Sequence, residues 1–281
     1  MRAAPLLLLA LLAACTQGVA RDAGSRDQAS DAGPSFVSLN PCTDAILAEV
    51  ADPTQVKALS LYSRDPVSSS LGVEKARRFA AVSGSVEEVV ALAPDIVLSG
   101  TYEGPASVAA YRRLGLRLEQ VGIAGTVAAS KAQVARIAAL AGHPERGAAL
   151  NARIDAALAA AAPPPGRPRL SALVWQSGGI VPGADTLVSE VLVRTGFASH
   201  SAARGLKQAD FLPLEQVLAD PPRVILAAGD PLAQEDRLLA HPALARLEGV
   251  HRARLDPALL WCGGPTIPRL AERLAAVRAG L

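Results

Sequence analysis

Two cysteines, Cys42 and Cys262, are the first candidates for chemistry in this chain, and they lie near opposite ends of it. A cysteine pair can form a disulfide, remain as two thiols, or ligate a metal or a metal chelate. The chain has three cysteines; if Cys15 carries a lipid, two remain, and an even number in an exported protein permits one disulfide. Such a bridge would lock together the two parts of the chain that carry it. The sequence leaves all three states open.

The histidines do not point to a metal-ion site or to an enzyme. A zinc or manganese site needs several histidines and carboxylates that converge on the ion, and a thiol nucleophile needs a nearby histidine base. None of the four histidines follows a predicted strand, where a site would be expected; they are His143, His200, His241 and His251. The Gly-x-Ser-x-Gly motif of hydrolases is also missing, because 83–85 lacks the first glycine.

Strands alternate with helices along the chain, which predicts parallel sheets covered by helices. Predicted strands in the first half are 36–39, 57–59, 95–98 and 116–121, and those in the second half are 170–175, 224–227 and 250–255. Predicted helices are 43–50, 85–93, 111–114, 126–140, 145–162, 185–195, 214–218, 242–247 and 267–279. Ser85 and Glu88 resemble a capping box at the start of their helix.

One long helix separates the two halves. In 145–162 the apolar residues Leu150, Ile154 and Leu158 recur on one face, and the prolines and glycine of 163–166 end the helix. At about 1.5 Å per residue the helix would be about 27 Å long, enough to cross from one lobe to the other. The predicted fold is α/β, with two sheet-and-helix lobes joined by a single long helix and a ligand cleft between the lobes.

The predicted boundaries follow from this pattern. They are a signal peptide over 1–14, a flexible tether over 15–35, an N-terminal lobe over 36–128, linking helices that include the long one over 129–166, and a C-terminal lobe over 167–281.

Candidate ligand-binding residues follow the predicted strands, because ligands of open parallel sheets collect beyond the carboxyl ends of the strands. They are Asn40, Cys42, Thr43, Tyr62, Arg64, Thr101, Tyr102, Trp175, Gln176, Trp261 and Cys262. The aromatic residues among them suit a large flat ligand such as a corrin, a tetrapyrrole or a catecholate chelate; alternatively, each caps the core. Arg64 is the candidate partner for an anion, unless it pairs with Asp65.

The first residues predict export. Arg2 precedes a run of leucine and alanine over 6–14 that is too short to span a bilayer as a mature helix and is typical of a signal peptide. The small residues before Cys15 resemble a bacterial lipobox, which predicts that Cys15 carries the lipid that anchors the protein to a membrane. The alternative is an ordinary signal peptide. The net charge of +2 and the scattered arginines give no nucleic-acid footprint.

Four segments resemble the periplasmic binding proteins for cobalamin and ferric siderophores that serve ABC importers. They are 38–44 (SLNPCTD), 85–98 (SVEEVVALAPDIVL), 213–219 (PLEQVLA) and 261–265 (WCGGP). The likeness covers 36–281. The cobalamin-binding member has an Asp and an Arg in the last of these loops, and this chain has neither. The resemblance implies a ligand held between two lobes with little hinge motion, and docking onto a membrane permease.

The resemblance also assigns roles to two glutamates. In the matching segments, Glu87 and Glu215 occupy the positions that meet arginines of the permease; alternatively, each is a helix-start glutamate favoured by the helix dipole. The expected function is therefore capture of an iron chelate or corrinoid and its delivery to an ABC permease, with no catalysis and no cofactor other than a metal in the ligand itself. An envelope lipoprotein with a sensing or scaffolding role and a metal-ion binding protein remain the alternatives.

Overall fold

A computed structural model describes residues 33–229 and 241–281 of the chain. The predicted signal peptide, the lipobox cysteine Cys15 and most of the predicted tether lie outside these residues. No helix in the described ranges is both long and apolar enough to cross a membrane.

The N-terminal lobe is built on a parallel sheet of five strands. They are β1 (Phe36–Ser38), β2 (Val56–Ser60), β3 (Ala81–Val82), β4 (Ile96–Gly100) and β5 (Arg117–Val121). Their order in the sheet is β3-β2-β1-β4-β5. Strand β4 lies between β1 and β5 and is mainly apolar, as expected for a parallel strand buried on both faces.

A second parallel sheet forms the C-terminal lobe, and a small antiparallel pair accompanies it. The strands of this half are β6 (Leu170–Gln176), β7 (Ile180–Pro182), β8 (Phe197–Ser199), β9 (Ala209–Phe211), β10 (Val224–Ala228) and β11 (His251–Arg254). The parallel sheet has the order β11-β10-β6-β8, and β7 pairs with β9 in antiparallel register.

Helices cover these sheets and join the lobes. They are α1 (Pro41–Val50), α2 (Val73–Ala76), α3 (Val86–Leu92), α4 (Pro105–Arg113), α5 (Val127–Leu140), α6 (Pro144–Ala161), α7 (Leu187–Arg194), α8 (Leu214–Ala219), α9 (Pro242–Ala245) and α10 (Thr266–Ala279). The long helix α6 packs against α1 and α5 of the first half and against α7 and α10 of the second half.

One hydrophobic core runs through both lobes. Phe36 and Leu98 from the first sheet, Val174 and Leu226 from the second, and Ile154 of α6 all belong to the same buried cluster. The outer face of each sheet packs a smaller separate core. The two sheets are therefore joined by buried apolar contact as well as by the backbone.

The predicted capping box at the start of α3 forms only in part. The Ser85 side chain accepts a hydrogen bond from the backbone N–H of Glu88, as the pattern predicts. The Glu88 carboxylate instead accepts bonds from the backbone N–H and the hydroxyl of Ser83. The glutamate thereby fixes the loop before the helix, and these bonds hold its pKa below the ordinary value.

Candidate ligand-binding cleft

A cavity of about 390 Å³ lies between the two lobes. On the N-terminal side its walls come from the residues that follow β1, β4 and β5, and on the C-terminal side they come from β6, β7, the start of α7 and the loop before α10. These segments lie beyond the carboxyl ends of parallel strands, where ligands of open sheets bind.

The walls of the cleft are mainly apolar, and much of the apolar surface is exposed. Tyr102 has 86 % of its surface exposed and Ile123 has 79 %, while Trp261 has 57 % and Ile180 has 45 %. All four line the cavity. Large apolar side chains left open to water around one concave site are typical of a surface that binds another molecule.

The cleft brings together eight of the eleven residues that the sequence suggested as ligand-binding: Asn40, Cys42, Thr43, Thr101, Tyr102, Gln176, Trp261 and Cys262. Their contact with a ligand stays a prediction.

Trp175 lies away from the cleft, contrary to expectation. Side chains alternate along a strand, so neighbours in β6 face opposite sides of the sheet. Val174 joins the core shared by the lobes, whereas Trp175 joins the outer core with Leu173 and is fully buried. Gln176 is the residue of β6 that reaches the cleft. Trp175 and Gln176 therefore cannot both face the cleft, contrary to the prediction from sequence.

Arg64 and Tyr62 also lie outside the cavity walls. The guanidinium of Arg64 donates a hydrogen bond to the carbonyl oxygen of Phe79 at 2.7 Å. The neighbouring Asp65 does not pair with it, since its carboxylate accepts bonds from Val67 N–H and the Ser68 hydroxyl. Arg64 therefore stabilises a loop. It does not line the cavity as the predicted partner for an anionic ligand.

Cys42 and Cys262 form a disulfide, with their Cα atoms 5.1 Å apart across 220 positions of sequence. Cys42 stands in the first turn of α1, and Cys262 stands in the loop before α10. Both cysteines line the cavity. Of the three states that the sequence left open, the structure contains the bridge, and it joins the two lobes at the cleft.

The start of α1 is held by two polar side chains. Asn40 caps the helix, because its side-chain oxygen accepts a bond from the backbone N–H of Cys42 at 2.8 Å. Asp44 is fully buried, and one carboxylate oxygen accepts bonds from Ser60 N–H at 3.0 Å and the Ser63 hydroxyl at 2.7 Å. The other oxygen has no hydrogen-bond partner among the described residues. Burial raises the pKa of Asp44 to about 8, against the lowering effect of these bonds.

The proposed docking residues occupy similar places in the two lobes. Glu87 lies in the first turn of α3, which leads into β4, and Glu215 lies in the first turn of α8, which leads into β10. Both side chains are exposed. Their contact with a permease stays a prediction.

Several cleft residues were not expected from the sequence. Ile123 follows β5. Ligands collect beyond the carboxyl ends of parallel strands, so a search of the residues after β5 would have found it. Gln133 lies on α5 and Gln208 immediately precedes β9, and these two reach the cavity only through the tertiary fold. The described residues contain no group of three or more histidine, cysteine or acidic side chains that could hold a metal ion.

Comparison with known proteins identifies the family. Residues 36–255 match the family described as periplasmic binding protein. None of the curated protein sequences matches the chain.

Solved structures share the fold at low sequence identity. A periplasmic haem-binding protein from Pseudomonas aeruginosa is 22 % identical with a TM-score of 0.69, over 86 % of this chain and 91 % of the other. A periplasmic vitamin B12 binding protein of Vibrio cholerae is 18 % identical with a TM-score of 0.67, over 88 % and 96 %. The family match covers most of the chain and agrees with the two-lobed fold; the chain belongs to the periplasmic binding protein family.

Proposed function

We propose that this protein is the extracytoplasmic substrate-binding component of an ABC importer, which captures an iron chelate or a corrinoid and delivers it to the permease. The observation that carries the proposal is the apolar cleft between the two parallel sheets, with walls from both lobes. The cleft combines large exposed apolar side chains with a few polar groups, which suits a bulky ligand bound without chemical change.

The proteins of similar fold support this class of ligand. Their names state that they bind haem or vitamin B12, both large metal-containing macrocycles. Tyr102 and Trp261 offer flat aromatic surfaces at the cleft of this chain, and such surfaces stack well on a macrocycle or a catecholate.

Equilibrium dialysis tests the binding step. The full chain, purified from membranes in mild detergent, would be dialysed against haem, cyanocobalamin and several ferric siderophores. Saturable binding of one chelate per chain at micromolar concentration or below is expected. If no chelate binds, the proposed function is wrong. If a chelate binds but deletion of the protein leaves its uptake by cells unchanged, the sensing or scaffolding role replaces transport.

Docking onto the permease is proposed to use Glu87 and Glu215. Two exposed carboxylates, one on each lobe, can orient a rigid protein on a basic partner. The shared core and the disulfide tie the two lobes together, so we expect little change in the spacing between the two glutamates.

A charge reversal separates docking from ligand capture. The double variant Glu87→Arg and Glu215→Arg should bind the chelate as the wild type does, yet abolish its uptake by cells. The matched control is Glu272→Arg, which reverses an exposed carboxylate on α10. Normal uptake by the double variant would contradict the docking role.

Membrane attachment is proposed to occur through a lipid on Cys15. Acyl chains on an N-terminal cysteine hold a protein at a membrane surface without a spanning helix. The variant Cys15→Ser should move the protein from the membrane fraction to the soluble fraction and prevent labelling by an alkyne fatty acid. Equal labelling of the variant and the wild type would contradict the anchor.

A further inference from the structure

We infer that the cleft selects an uncharged or cationic chelate whose rim carries amide or carbonyl groups, and that it disfavours anionic chelates. The inference rests on the proposed ligand-binding function and narrows its ligand class. Four carboxamides and one carboxylate among the cavity-lining side chains carry it.

The carboxamides surround the cavity from both lobes. Asn40 follows β1 and Gln133 lies on α5, while Gln176 ends β6 and Gln208 precedes β9. A carboxamide offers both a donor and an acceptor and carries no charge. Four of them around one apolar cleft can pair with the amide and carbonyl groups of a ligand without neutralising any charge.

Two of these carboxamides are fixed by the protein itself. The oxygen of Asn40 accepts the Cys42 N–H, so its amide nitrogen remains to donate. The amide nitrogen of Gln133 donates to the Gly122 carbonyl at 2.6 Å, so its oxygen remains to accept. One donor and one acceptor are thus held in place before a ligand arrives, which lowers the ordering cost of binding.

The charge carried by the described lining residues opposes anions. Asp185 is the one ionisable acid among the described lining residues, and these residues include no lysine, arginine or histidine. Asp185 is exposed and forms no ion pair with any described residue. Carboxylate or catecholate ligands are normally bound by guanidinium or ammonium groups. An exposed carboxylate among the lining residues repels them instead.

Asp185 is held at the junction of the lobes. A Cβ atom at Gly125 would lie 2.9 Å from the backbone oxygen of Asp185, so the segment after β5 approaches it closely. Its backbone N–H donates to the Lys207 carbonyl at 2.7 Å. The backbone of Asp185 is therefore held beside the cleft from both sides.

The apolar walls complete the description of the ligand. Tyr102, Ile123, Ile180 and Trp261 would cover an apolar face, and the carboxamides would contact a polar rim. The expected ligand is thus flat or bulky and apolar at its centre, with amides at its edge.

Isothermal titration calorimetry with the full chain in mild detergent tests the inference with two classes of probe. Cyanocobalamin and dicyanocobinamide are uncharged with carboxamide rims, and ferrioxamine B is a cationic hydroxamate that carries amides. Haem and ferric enterobactin are anionic. At least one probe of the first class should bind, and both anionic probes should bind at least about 10-fold more weakly, a difference of about 1.4 kcal/mol.

Variants locate the selectivity. Gln176→Leu keeps the size of the side chain but removes its amide, and should weaken the amide-bearing probe by about 3- to 10-fold, the value of one hydrogen bond. Asp185→Lys should strengthen the anionic probes relative to the uncharged ones. Gln216→Leu is the control, since this exposed residue of α8 is outside the cavity walls.

The outcomes separate the inference from the function. Tighter binding of haem or ferric enterobactin by the wild type would overturn the inference and leave the binding function intact. Equal affinity for both classes, or an unchanged preference in Asp185→Lys, would also overturn it. The absence of binding by either class would overturn the proposed function, and the inference with it.

Discussion

The Ser130 hydroxyl accepts a hydrogen bond from the backbone N–H of Gly264 at 2.7 Å, although 134 positions separate the two residues in sequence. Ser130 is fully buried on α5, and Gly264 follows the disulfide cysteine Cys262. The bond holds the loop before α10 directly against α5. It thereby fixes the position from which Cys262 reaches Cys42.

The first prediction concerns Gly263, which lies in the same loop. A Cβ atom at this glycine would stand 2.2 Å from the Ser130 hydroxyl oxygen. We expect Gly263→Ala to lower the free energy of unfolding by about 1–3 kcal/mol through overpacking, measured by urea denaturation. Gly104→Ala is the matched control, because its nearest neighbouring atom would be 3.9 Å away. Equal stability of the two variants would show that the loop can move aside.

The second prediction concerns the disulfide. The double variant Cys42→Ala and Cys262→Ala should lose up to about 5 kcal/mol of unfolding free energy, because the bridge closes a very long loop in the unfolded chain. Urea denaturation of the oxidised wild type and of the variant measures the difference. Wild type treated with a reductant should unfold like the variant. Coincident curves for the oxidised wild type and the variant would contradict a stabilising role.

The third prediction concerns Asp44 and pH. Its pKa is about 8 in the folded protein against an ordinary value of 3.8, so between these two pH values the folded state holds a proton that the unfolded state has lost. Stability from this group is full below about pH 4 and declines as pH rises towards about 8, by at most about 1.4 kcal/mol per pH unit. Asp44→Asn mimics the protonated form and should flatten this decline.

Urea denaturation at about pH 5 and about pH 8 checks this sign. Burial lowers the pKa of His200, so this group makes the folded state more stable as pH rises, which is opposite to the effect of Asp44. The pH dependence of the variant must therefore be compared with that of the wild type. The carboxylates whose pKa is lowered in the folded protein, among them Glu49 and Asp52, are ionised in both the folded and the unfolded state above about pH 5. They therefore make stability depend on pH only below about pH 5, where stability falls as the pH falls. If the variant and the wild type lose stability in parallel from about pH 5 to about pH 8, Asp44 does not hold the proton.

The fourth prediction concerns the two tryptophans. Trp261 lines the cleft and donates its indole N–H to the Val67 carbonyl at 3.0 Å, whereas Trp175 is buried in the outer core. A bound macrocycle should therefore quench Trp261 far more strongly than Trp175. In a fluorescence titration Trp261→Phe should lose most of the ligand-induced change while the remaining Trp175 still emits. A full response in that variant would place the ligand elsewhere.

Much of the fold is predictable from local patterns. The apolar runs that form β4 and β10 and the stop at 163–166 that ends α6 lie within a residue or two of the predicted bounds. The strands β3, β7, β8 and β9 were missed, because each is only two or three residues long and is defined by its partner strand rather than by its own pattern. Prediction was successful where a segment is long and periodic.

The candidate site was less predictable than the fold. The rule of strand ends located Tyr102 and Trp261 at the cleft, because parallel strands deliver their loops to one edge of the sheet. The same rule could not distinguish Gln176 from Trp175, because it does not say which face of the sheet each side chain of β6 points to. Asp185 and Gln208 lie in the loops next to the antiparallel pair β7 and β9. No local pattern marks such residues, because their position depends on contacts between distant segments.

The shared core limits how the proposed ligand can be released from the cleft. Because Phe36, Val174 and Ile154 belong to one buried cluster, swinging the lobes apart would expose apolar surface that only unfolding otherwise exposes. At about 25 cal/mol per Å² of apolar surface, such opening is costly. A wide-open form should thus be rare, and a ligand of the kind proposed would leave through the open side of the cleft without separation of the two lobes.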